Sequence, residues 1–295
     1  MTTIAFIGLG VMGAPMASNL LAAGFDVVGF NRSPDKLAAF VRRGGRAAGS
    51  IAESVVDADV VITMLPDTPD VQAVMLGNDG IIATARRGAL TIDMSTIKPA
   101  ISRSLAAEAR AQGLRPLDSP VSGGEVAAID GTLSIMVGGQ DADFDAALPV
   151  LEAVGKTIVR VGPDGAGQTV KAANQLIVAG NIQLVSEALV FLAAHSVNLE
   201  SAVAVLSGGL AGSAVLQRKA GSMLERRFAP GFRVELHHKD LGIVLDAARA
   251  AGVAIPLGTS VADLMSSLRA QGGGSLDHSA LLLQVERLSG QWNEL

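Results

Sequence analysis

Short apolar runs alternate with longer amphipathic stretches along the first half of the chain. The run at 60–64 is almost continuously apolar, which is typical of a strand covered by helices on both faces of its sheet. Runs of this kind predict strands at 4–7, 26–30, 60–64, 90–93, 115–117, 133–137 and 158–161. Because strands that alternate with helices pair in parallel through crossover connections, this half predicts a doubly wound α/β sheet.

The pattern changes after the turn-rich segment 162–165, where the β-rich runs stop. Helical periodicity then predicts helices near 166–195, 199–207, 213–226, 238–251, 257–271 and 279–291. We therefore predict two domains, a doubly wound domain over residues 1–163 and an all-helical domain over residues 164–295. The first of these helices is strongly apolar, but Asn181, Gln183 and Glu187 interrupt it, which favours a buried helix over a membrane span.

Charge and cysteine content exclude several classes of protein. The chain has 295 residues, a formal net charge of −5 and no long basic run, which argues against nucleic acid or an anionic membrane as a partner. It has no cysteine, and so no disulfide, thiol nucleophile or Cys-ligated metal. No basic segment precedes the apolar N-terminus, which predicts a cytoplasmic protein. Only 17% of residues are charged, and this low fraction indicates surface hidden by self-association.

A glycine-rich loop follows the first predicted strand and precedes a predicted helix. Gly8, Gly10 and Gly13 have the G-x-G-x-x-G spacing. The first glycine allows a tight turn, the second lets a pyrophosphate reach the backbone, and the third lets the helix pack on the strand. The spacing alone is weak evidence in a chain with 34 glycines, but its strand and helix context predicts a dinucleotide site. The loop residues predicted to contact the cofactor are Gly8, Leu9, Gly10, Val11, Met12 and Gly13.

The end of the second predicted strand bears on the choice of cofactor. An NAD-preferring site usually carries a carboxylate there to bind the ribose hydroxyl, whereas this chain has Asn31, Arg32 and Ser33. An amide, a guanidinium and a hydroxyl suit a 2′-phosphate, so NADP(H) is favoured and NAD(H) is possible. Alternatively, Arg32 is a solvated turn charge or stacks on the adenine.

The segment 118–125, DSPVSGGE, follows a strand and opens a short predicted helix. Ser122 offers a hydroxyl, while Gly123 and Gly124 expose backbone N–H groups that no side chain covers. Such a turn can cradle a carboxylate. An ordinary turn between a strand and a helix accounts for the same residues equally well.

Three polar residues share one face of the otherwise apolar helix that starts near 166. Lys171, Asn174 and Gln175 lie at i, i+3 and i+4. Burying an ammonium and two amides is costly unless something polar lies opposite, and a substrate would meet that need. Lys171 could then bind a carbonyl oxygen and deliver its proton, with desolvation lowering its pKa. The alternative is a lysine whose head group stays in water.

The histidines do not predict a metal site. His237 and His238 are adjacent, but neighbouring residues of a helix point in different directions and no third ligand is evident, so both are expected at the surface. Lys239 and Asp240, which follow them, could reach a neighbouring cleft. His278 is expected to cap or pack at the start of the last helix.

Four segments, in this order, resemble the β-hydroxyacid dehydrogenase family: FIGLGVMGAPMA, DSPVSGG, GAGQTVKAANQ and KDL. The resemblance covers nearly the whole chain. It implies a Rossmann domain joined by a long interdomain helix to an all-helical domain, and a homodimer or homotetramer. Further runs, such as DGTLSIMVGG and LDHSAL, resemble the tartronate semialdehyde reductases of this family more closely than the 3-hydroxyisobutyrate dehydrogenases.

Carried over position by position, the resemblance implies a role for each matching residue. Lys171 would be the catalytic acid and base, and its presence favours carbonyl over imine chemistry. The residues that would bind the substrate or its carboxylate are Ser122, Gly123, Gly124, Asn174 and Gln175, the last of which is Asn in many relatives. The further cofactor contacts would be Leu65, Pro66, Thr96 and Lys239. Many close relatives use NADH, which argues against the preference drawn from Asn31, Arg32 and Ser33.

These roles predict an NAD(P)H-dependent reductase of a small 3-oxo acid. The substrate indicated is 2-hydroxy-3-oxopropanoate, reduced to D-glycerate by hydride transfer with Lys171 as general acid. A 3-hydroxyisobutyrate dehydrogenase is the alternative within the family. A dinucleotide-binding sensor without turnover is the alternative from another class, and Lys171 and Ser122 argue against it.

Overall fold

The computed structural model describes residues 1–291. Residues 292–295, the end of the predicted helical domain, lie outside the described part of the chain. The fold confirms a parallel-sheet domain followed by a helical one. The strands are β1 (Thr3–Ile7), β2 (Asp26–Phe30), β3 (Arg46–Ala47), β4 (Val60–Thr63), β5 (Leu90–Asp93), β6 (Arg115–Asp118), β7 (Val121–Ser122), β8 (Leu133–Gly139) and β9 (Gly155–Gly162).

Within residues 1–291 the strands form one nine-stranded sheet, in the order β3-β2-β1-β4-β5-β6-β8-β7 with β9 paired to β8. Pairing from β3 to β6 is parallel, whereas β8 runs antiparallel to β6 and β7. β1 lies between β2 and β4, with Ile4 in register with both Val27 and Val60. The chain order reverses at β1, and such a switch point is where open α/β sheets bind ligands.

Helices cross between the strands and then make up the rest of the chain. Those of the sheet region are α1 (Gly13–Ala22), α2 (Pro34–Val41), α3 (Ile51–Val55), α4 (Thr68–Leu76), α5 (Ile81–Thr84), α6 (Pro99–Ala111), α7 (Gly124–Ile129) and α8 (Asp141–Glu152). The helices that follow are α9 (Ala166–Ala194), α10 (Leu199–Gly208), α11 (Ala214–Leu224), α12 (Val234–Ala251), α13 (Pro256–Ala270) and α14 (Leu281–Leu288), with short 3₁₀ turns at Gly273–Ser275 and His278–Ala280.

Local chemistry explains several of these helix starts. The side chains of Ser50, Asp67, Asn198 and Ser213 each accept a hydrogen bond from a first-turn N–H, which satisfies a donor that has no partner inside the helix. α6 begins at Pro99, whose fixed φ suits a first helical position.

The chain divides into two compact units, Met1–Lys171 and the residues from Ala172 onwards. Each has its own apolar core, the first around Phe6, Ile62 and Ile92 and the second around Ile182 and Met265. The division falls within α9, eight residues beyond the 163/164 boundary predicted from sequence. The first turn of α9 packs on the sheet so tightly that a Cβ on Gly167 would lie 2.3 Å from the Met136 carbonyl oxygen.

Differences from the predicted elements are small and have local causes. β3 and β7 were not predicted, because two residues are too few to show a period. α12 begins four residues before the predicted start, and the predicted helix at 279–291 is a 3₁₀ turn followed by α14. In the described part of the chain, α9 alone is long and apolar enough by composition to cross a membrane. Its most apolar 18-residue stretch has a mean hydropathy of 1.8, and 39% of that stretch is buried.

Two carboxylates lie side by side at the ends of β5 and β6, where Asp93 and Asp118 are in register. The Oδ1 of Asp93 accepts hydrogen bonds from the Thr63 hydroxyl (2.8 Å) and the Ser95 N–H (3.1 Å). Its Oδ2 is shut off from solvent and has no hydrogen-bond partner among the described residues. Burial, with a smaller contribution from the Asp118 charge, raises the pKa of Asp93 to about 6.

The raised pKa of Asp93 makes the protein less stable as the pH rises. Since the folded pKa of Asp93 lies above the unfolded value of 3.8, the protonated side chain favours the folded state. This contribution to stability is complete below about pH 4 and is lost as the pH rises through 6. Relative to Asp93→Asn, the wild-type free energy of unfolding should fall by about 2–3 kcal/mol between pH 4 and pH 7.5. Urea unfolding at both values measures it, and a difference that is the same at both would contradict the assignment.

Candidate active site

The glycine-rich loop between β1 and α1 has the geometry of a phosphate-binding turn. Gly8 has φ +103°, and a Cβ there would lie 2.3 Å from the Met64 carbonyl oxygen. A Cβ on Gly13 would lie 1.9 Å from the Gly8 carbonyl oxygen, so this glycine permits the close approach of α1. A Cβ on Gly10 would meet nothing within 4 Å, which leaves its backbone open to a ligand. The three glycines therefore fit the roles that the spacing predicts.

The amino end of α1 adds an attraction for anions. Its N-cap residue, Met12, gives the helix no side-chain hydrogen bond. The N–H groups of a first helical turn lack partners inside the helix and carry partial positive charge. The side chain of Val11 is 62% exposed, whereas that of Leu9 is buried in the core. Together these features fit the pyrophosphate of a dinucleotide, with Leu9 serving to anchor the loop.

Asn31 braces this loop from the end of β2. Its Oδ1 accepts a hydrogen bond from the Leu9 N–H (3.0 Å), and its Nδ2 donates to the Ser33 carbonyl oxygen (3.3 Å). The next residue, Arg32, is 80% exposed and forms an ion pair of 3.1 Å with Asp70 of α4. The tip of β2 thus presents an amide and a cation where an NAD site usually has a carboxylate.

The loops after β4 and β5 lie beside the glycine loop at the same edge of the sheet. A Cβ on Gly8 would lie 2.9 Å from a Leu65 methyl carbon, which places Leu65 against the loop. The Leu65 N–H donates to the Ser95 hydroxyl oxygen at 2.9 Å. Pro66 is exposed, and Thr96 follows Ser95 directly. The structure therefore brings the predicted cofactor residues of β1, β4 and β5 together.

The predicted carboxylate cradle is a turn between β7 and α7. Ser122 ends β7, and Gly123 and Gly124 follow with φ values of +139° and +73°. Side chains rarely adopt such angles, and a Cβ on Gly123 would also lie 2.5 Å from the Ala127 Cβ. The turn thus requires glycine at 123 for both reasons. Its binding of a carboxylate stays a prediction.

Lys171 lies near the start of α9 and is only 7% exposed. Gln168 and Gln175, which share its face of the helix at i−3 and i+4, are 1% and 4% exposed. Asn174 donates through its Nδ2 to the Gln175 Oε1 at 2.8 Å. Of the predicted polar face, Lys171 and Gln175 are therefore buried and Asn174 is partly exposed. Burial strengthens the effect that an ammonium has on a nearby carbonyl group.

Within the second unit a buried carboxylate joins α9 to α12. The Oδ2 of Asp240 accepts a hydrogen bond from the Gln175 Nε2 (2.5 Å), and its Oδ1 lies 2.8 Å from the Lys239 ammonium. The two polar atoms of the Gln175 side chain thus have protein partners, Asp240 and Asn174. Lys239 is 18% exposed. That Gln175 binds substrate and Lys239 binds cofactor stays a prediction.

The expectation that His237 lies at the surface is wrong, because its side chain is fully buried. Its Nε2 lies 3.3 Å from the Gln175 carbonyl oxygen, and its Nδ1 lies 2.9 Å from the Nδ1 of His278. Burial, reinforced by the electrostatic effect of His237, lowers the pKa of His278 to about 3, so His278 is neutral at neutral pH. The His237 Nε2 donates to the Gln175 carbonyl oxygen, because a carbonyl oxygen can only accept. Among residues 1–291, no three His, Asp or Glu side chains form a candidate metal site.

Sequence reasoning missed three polar residues that organise the site. Ser95 and Gln168 hold the loops that carry the predicted cofactor residues Leu65 and Thr96, and Asp70 pairs with Arg32. Gln168 carried a signal, since it extends the polar face of α9 one turn before Lys171. Ser95 and Asp70 carried none, because their partners lie on other elements of the fold.

Comparisons with known proteins agree with this architecture. A family model described as the NAD binding domain of 6-phosphogluconate dehydrogenase matches residues 3–162. A second, described as the NAD-binding domain of NADP-dependent 3-hydroxyisobutyrate dehydrogenase, matches residues 165–285. Together the two models match nearly the whole chain.

Individual relatives match over nearly their whole length. The chain is 40% identical to the 2-hydroxy-3-oxopropionate reductase of Escherichia coli (strain K12), covering 97% of this chain and 98% of that one. It is 38% identical to the NAD-dependent L-serine dehydrogenase of Pseudomonas aeruginosa, covering 99% and 100%. Among solved structures, the 3-hydroxyisobutyrate dehydrogenase of Mycobacterium tuberculosis with L-serine has a TM-score of 0.88 and 38% identity, covering 96% and 98%.

Two alanine substitutions separate the roles of the loop glycines. Gly13→Ala should lower the free energy of unfolding by about 1–3 kcal/mol, because the added Cβ forces the helix from the strand. Gly10→Ala should leave it within about 0.5 kcal/mol of wild type, because the Cβ points into open space. The same methyl should weaken dinucleotide binding by about ten-fold or more, since it occupies the place of the pyrophosphate.

Urea unfolding and titration of NADPH fluorescence measure these two effects. Wild-type affinity in Gly10→Ala would show that the dinucleotide does not approach the loop there.

Proposed function

Because the chain belongs to the β-hydroxyacid dehydrogenase family, we propose that it reduces 2-hydroxy-3-oxopropanoate (tartronate semialdehyde) to D-glycerate. It is an oxidoreductase with NAD(P)-binding domains, of the kind that acts on hydroxyl groups. The named substrate is the finer part of the proposal. It is supported by the relative that is 40% identical and by a site suited to a small carboxylic acid.

The observation that carries the proposal is the buried ammonium of Lys171 on the polar face of α9. The nicotinamide, when bound, supplies the hydride to the aldehyde carbon. As the carbonyl oxygen gains negative charge, Lys171 stabilises it and donates a proton to it, which completes the hydroxyl group. In the reverse direction the neutral amine of Lys171 takes this proton back.

The remaining predicted contacts would hold the acid in place for that transfer. Ser122, Gly123 and Gly124 bind the substrate carboxylate, through the serine hydroxyl and the backbone N–H groups of the glycine turn. Asn174, at i+3 from Lys171, orients the substrate. The positive φ values of both glycines support this role, since they turn the backbone in a way that a residue with a side chain rarely allows.

A substrate panel tests the identity of the acid. Tartronate semialdehyde should be reduced with the highest kcat/KM, ahead of methylmalonate semialdehyde, whose reduction product is 3-hydroxyisobutyrate. L-serine belongs in the panel for oxidation, since one relative is named for it. A site that hydrogen-bonds the substrate hydroxyl rejects an analogue with a methyl group by a large factor. A preference for methylmalonate semialdehyde would replace the proposed substrate by that of the 3-hydroxyisobutyrate dehydrogenases.

We favour NADP(H) as the cofactor because no carboxylate stands at the tip of β2. The Asn31 Oδ1 accepts a hydrogen bond from the Leu9 N–H, and Arg32, paired with Asp70, carries an exposed guanidinium that suits a phosphate. The second family model, described by an NADP-dependent enzyme, supports this choice. The NAD-dependent relative supports NAD(H) instead.

We also propose that the protein works in the cytoplasm as a homodimer or homotetramer, without nucleic-acid or membrane partners. An exposed apolar stripe on α9 supports self-association, since Ile177, Leu184 and Phe191 are 62%, 57% and 62% exposed. Their seven-residue spacing is that of helices that pack along a shared seam. Light scattering after gel filtration measures the oligomeric state, and a monomer at micromolar concentration would contradict it.

Removing the proposed acid should slow the chemistry and leave cofactor binding intact. Lys171→Ala should lower kcat by about 10²-fold or more, the usual contribution of general acid–base catalysis, with the Kd for NADPH nearly unchanged. Lys156→Ala is the matched control, because it removes an exposed lysine on β9. Steady-state kinetics with tartronate semialdehyde measure both variants. Near-normal turnover of Lys171→Ala would exclude the lysine from the mechanism.

Substitutions at Arg32 and Asp70 test the cofactor preference. Arg32→Ala should lower the ratio of kcat/KM for NADPH to that for NADH by about ten-fold or more, since it removes a charge-assisted bond to the 2′-phosphate. Asp70→Asn frees the guanidinium from an exposed ion pair and should raise the ratio by about two- to five-fold. Arg46→Ala, which breaks the ion pair with Asp26, is the control. A wild-type ratio below one would overturn the preference for NADP(H).

A further inference from the structure

Gln168 holds a loop of the sheet as a neighbouring strand would. Its side chain is 1% exposed. The Oε1 atom accepts a hydrogen bond from the Ile97 N–H (3.0 Å), and the Nε2 atom donates to the Ser95 carbonyl oxygen (2.8 Å). One amide therefore pairs with the backbone on both sides of Thr96. The amide N–H₂ thus meets a backbone carbonyl oxygen, and the amide oxygen meets a backbone N–H.

The backbone of Gln168 is fixed as firmly as its side chain. Its N–H donates to the Asp118 Oδ2 at 2.8 Å, and the Gly165 N–H donates to the Oδ1 of the same carboxylate at 2.7 Å. All these atoms are buried, where a hydrogen bond is stronger and a missing one is costlier than in water. Gln168 thus joins the end of β6 to the loop after β5.

Ser95 extends the connection to a second loop. Its hydroxyl oxygen accepts from the Leu65 N–H (2.9 Å), while its own N–H donates to Asp93 (3.1 Å). Leu65 lies against Gly8, as described above. A continuous set of hydrogen bonds therefore runs from the loop beside Gly8, through Ser95, to Gln168 on α9, partly buried at Leu65 and fully buried at Gln168.

We propose that Gln168 is a positioning residue that keeps the cofactor-facing loops in register with Lys171. Lys171 lies at i+3, one turn along the same helix, so a shift of Gln168 moves the ammonium relative to Thr96 and Leu65. This inference rests on the proposed function, because that function assigns the roles of Lys171 and the two loops. In this proposal Gln168 contacts neither the carbonyl group of the substrate nor the hydride of the cofactor, and it takes no part in proton transfer.

Glutamate at position 168 gives the sharpest test, because its ability to donate depends on pH. A neutral carboxyl group can accept from the Ile97 N–H and donate to the Ser95 carbonyl oxygen, as the amide does. An ionised one can only accept, and it repels that carbonyl oxygen. Among the described residues, the charged groups near this position include Asp93 and Asp118, which disfavour ionisation, and Lys171 and Arg103, which favour it. Burial adds to the first effect, so the new carboxyl group should titrate above the usual glutamate range.

The experiment compares Gln168→Glu with wild type between pH 5.5 and pH 8.5. At the high end we expect NADPH, followed by its fluorescence, to bind about ten-fold more weakly, and kcat to fall by about ten-fold as well. At the low end both quantities should return to within about three-fold of wild type. Gln168→Leu, whose side chain has no polar atoms, should bind NADPH more weakly and have a lower kcat at both ends of the pH range, with no recovery at pH 5.5.

Gln284→Glu is the matched control. Gln284 is also a buried amide, 4% exposed, and it donates to the Ser267 hydroxyl oxygen in the second unit. Its substitution introduces a buried carboxyl group away from the cofactor loops. We expect it to lower stability at high pH, with a Kd for NADPH and a kcat that keep a constant ratio to wild type. A matching pH-dependent loss of binding in this control would overturn the positioning role, because any buried carboxyl group would then produce it.

Amide hydrogen exchange in the wild-type protein provides a readout that needs no variant to fold. The Ile97 amide should be protected as strongly as the strands of the sheet, because Gln168 accepts its hydrogen bond. Exchange of Ile97 at the rate of an exposed loop would overturn the proposal. Unchanged cofactor binding and kcat in Gln168→Glu at pH 8.5 would overturn it too.

Failure of this inference differs from failure of the proposed function. If Lys171→Ala is inactive while Gln168→Glu behaves as wild type, the positioning role alone is excluded. If the wild type turns over no acid of the panel while Gln168→Glu still loses NADPH binding as the pH rises, the substrate assignment alone is excluded, and the control of the loops by Gln168 is supported.

Discussion

One buried carboxylate, that of Asp118, fixes the start of α9 against the sheet. It ends β6 and accepts hydrogen bonds from the Gly165 and Gln168 N–H groups. The N–H groups at the start of a helix lack hydrogen-bond partners inside it and carry partial positive charge. A carboxylate placed there accepts their hydrogen bonds and offsets that charge. The first turn of α9 lies so close to the sheet that no space is left for a side chain at Gly167. Every side chain on the next turn of α9, including Lys171, takes its place relative to the sheet from this contact.

The sequence predicts the fold well where burial imposes a local pattern. Strands covered on both faces must be apolar throughout, and β2 and β5 were therefore predicted with their observed ends. The antiparallel pairing of β8 was not predictable, because pairing direction depends on connections across the sheet rather than on the residues of the strand. Helical periodicity marks where α9 begins but carries no information about which unit its first turn packs against, so a division of the chain within α9 has no signal in the sequence.

The candidate site divides in the same way. The spacing of Gly8, Gly10 and Gly13 expresses a steric requirement within one loop, so the sequence contains all the information needed to predict it. Gln168 matters through the backbone of a loop some seventy residues earlier in the chain, which no local pattern encodes. His237 illustrates the opposite error, since a polar residue is expected at the surface unless its buried partner is known, and that partner, His278, lies far along the chain.

Asn31 supports the glycine loop and also decides which charge residue 31 contributes at the tip of β2. Its carbonyl oxygen bonds the Leu9 N–H and so stabilises the glycine loop. An aspartate could make the same bond, because either carboxylate oxygen accepts. The hydrogen bond therefore does not explain why an amide stands there. What the amide adds is that residue 31 itself brings no negative charge beside the guanidinium of Arg32, which is paired with Asp70 of α4. Since a carboxylate would repel a phosphate and an amide does not, Asn31 supports the loop without adding that repulsion, which is the basis of the proposed preference for NADP(H).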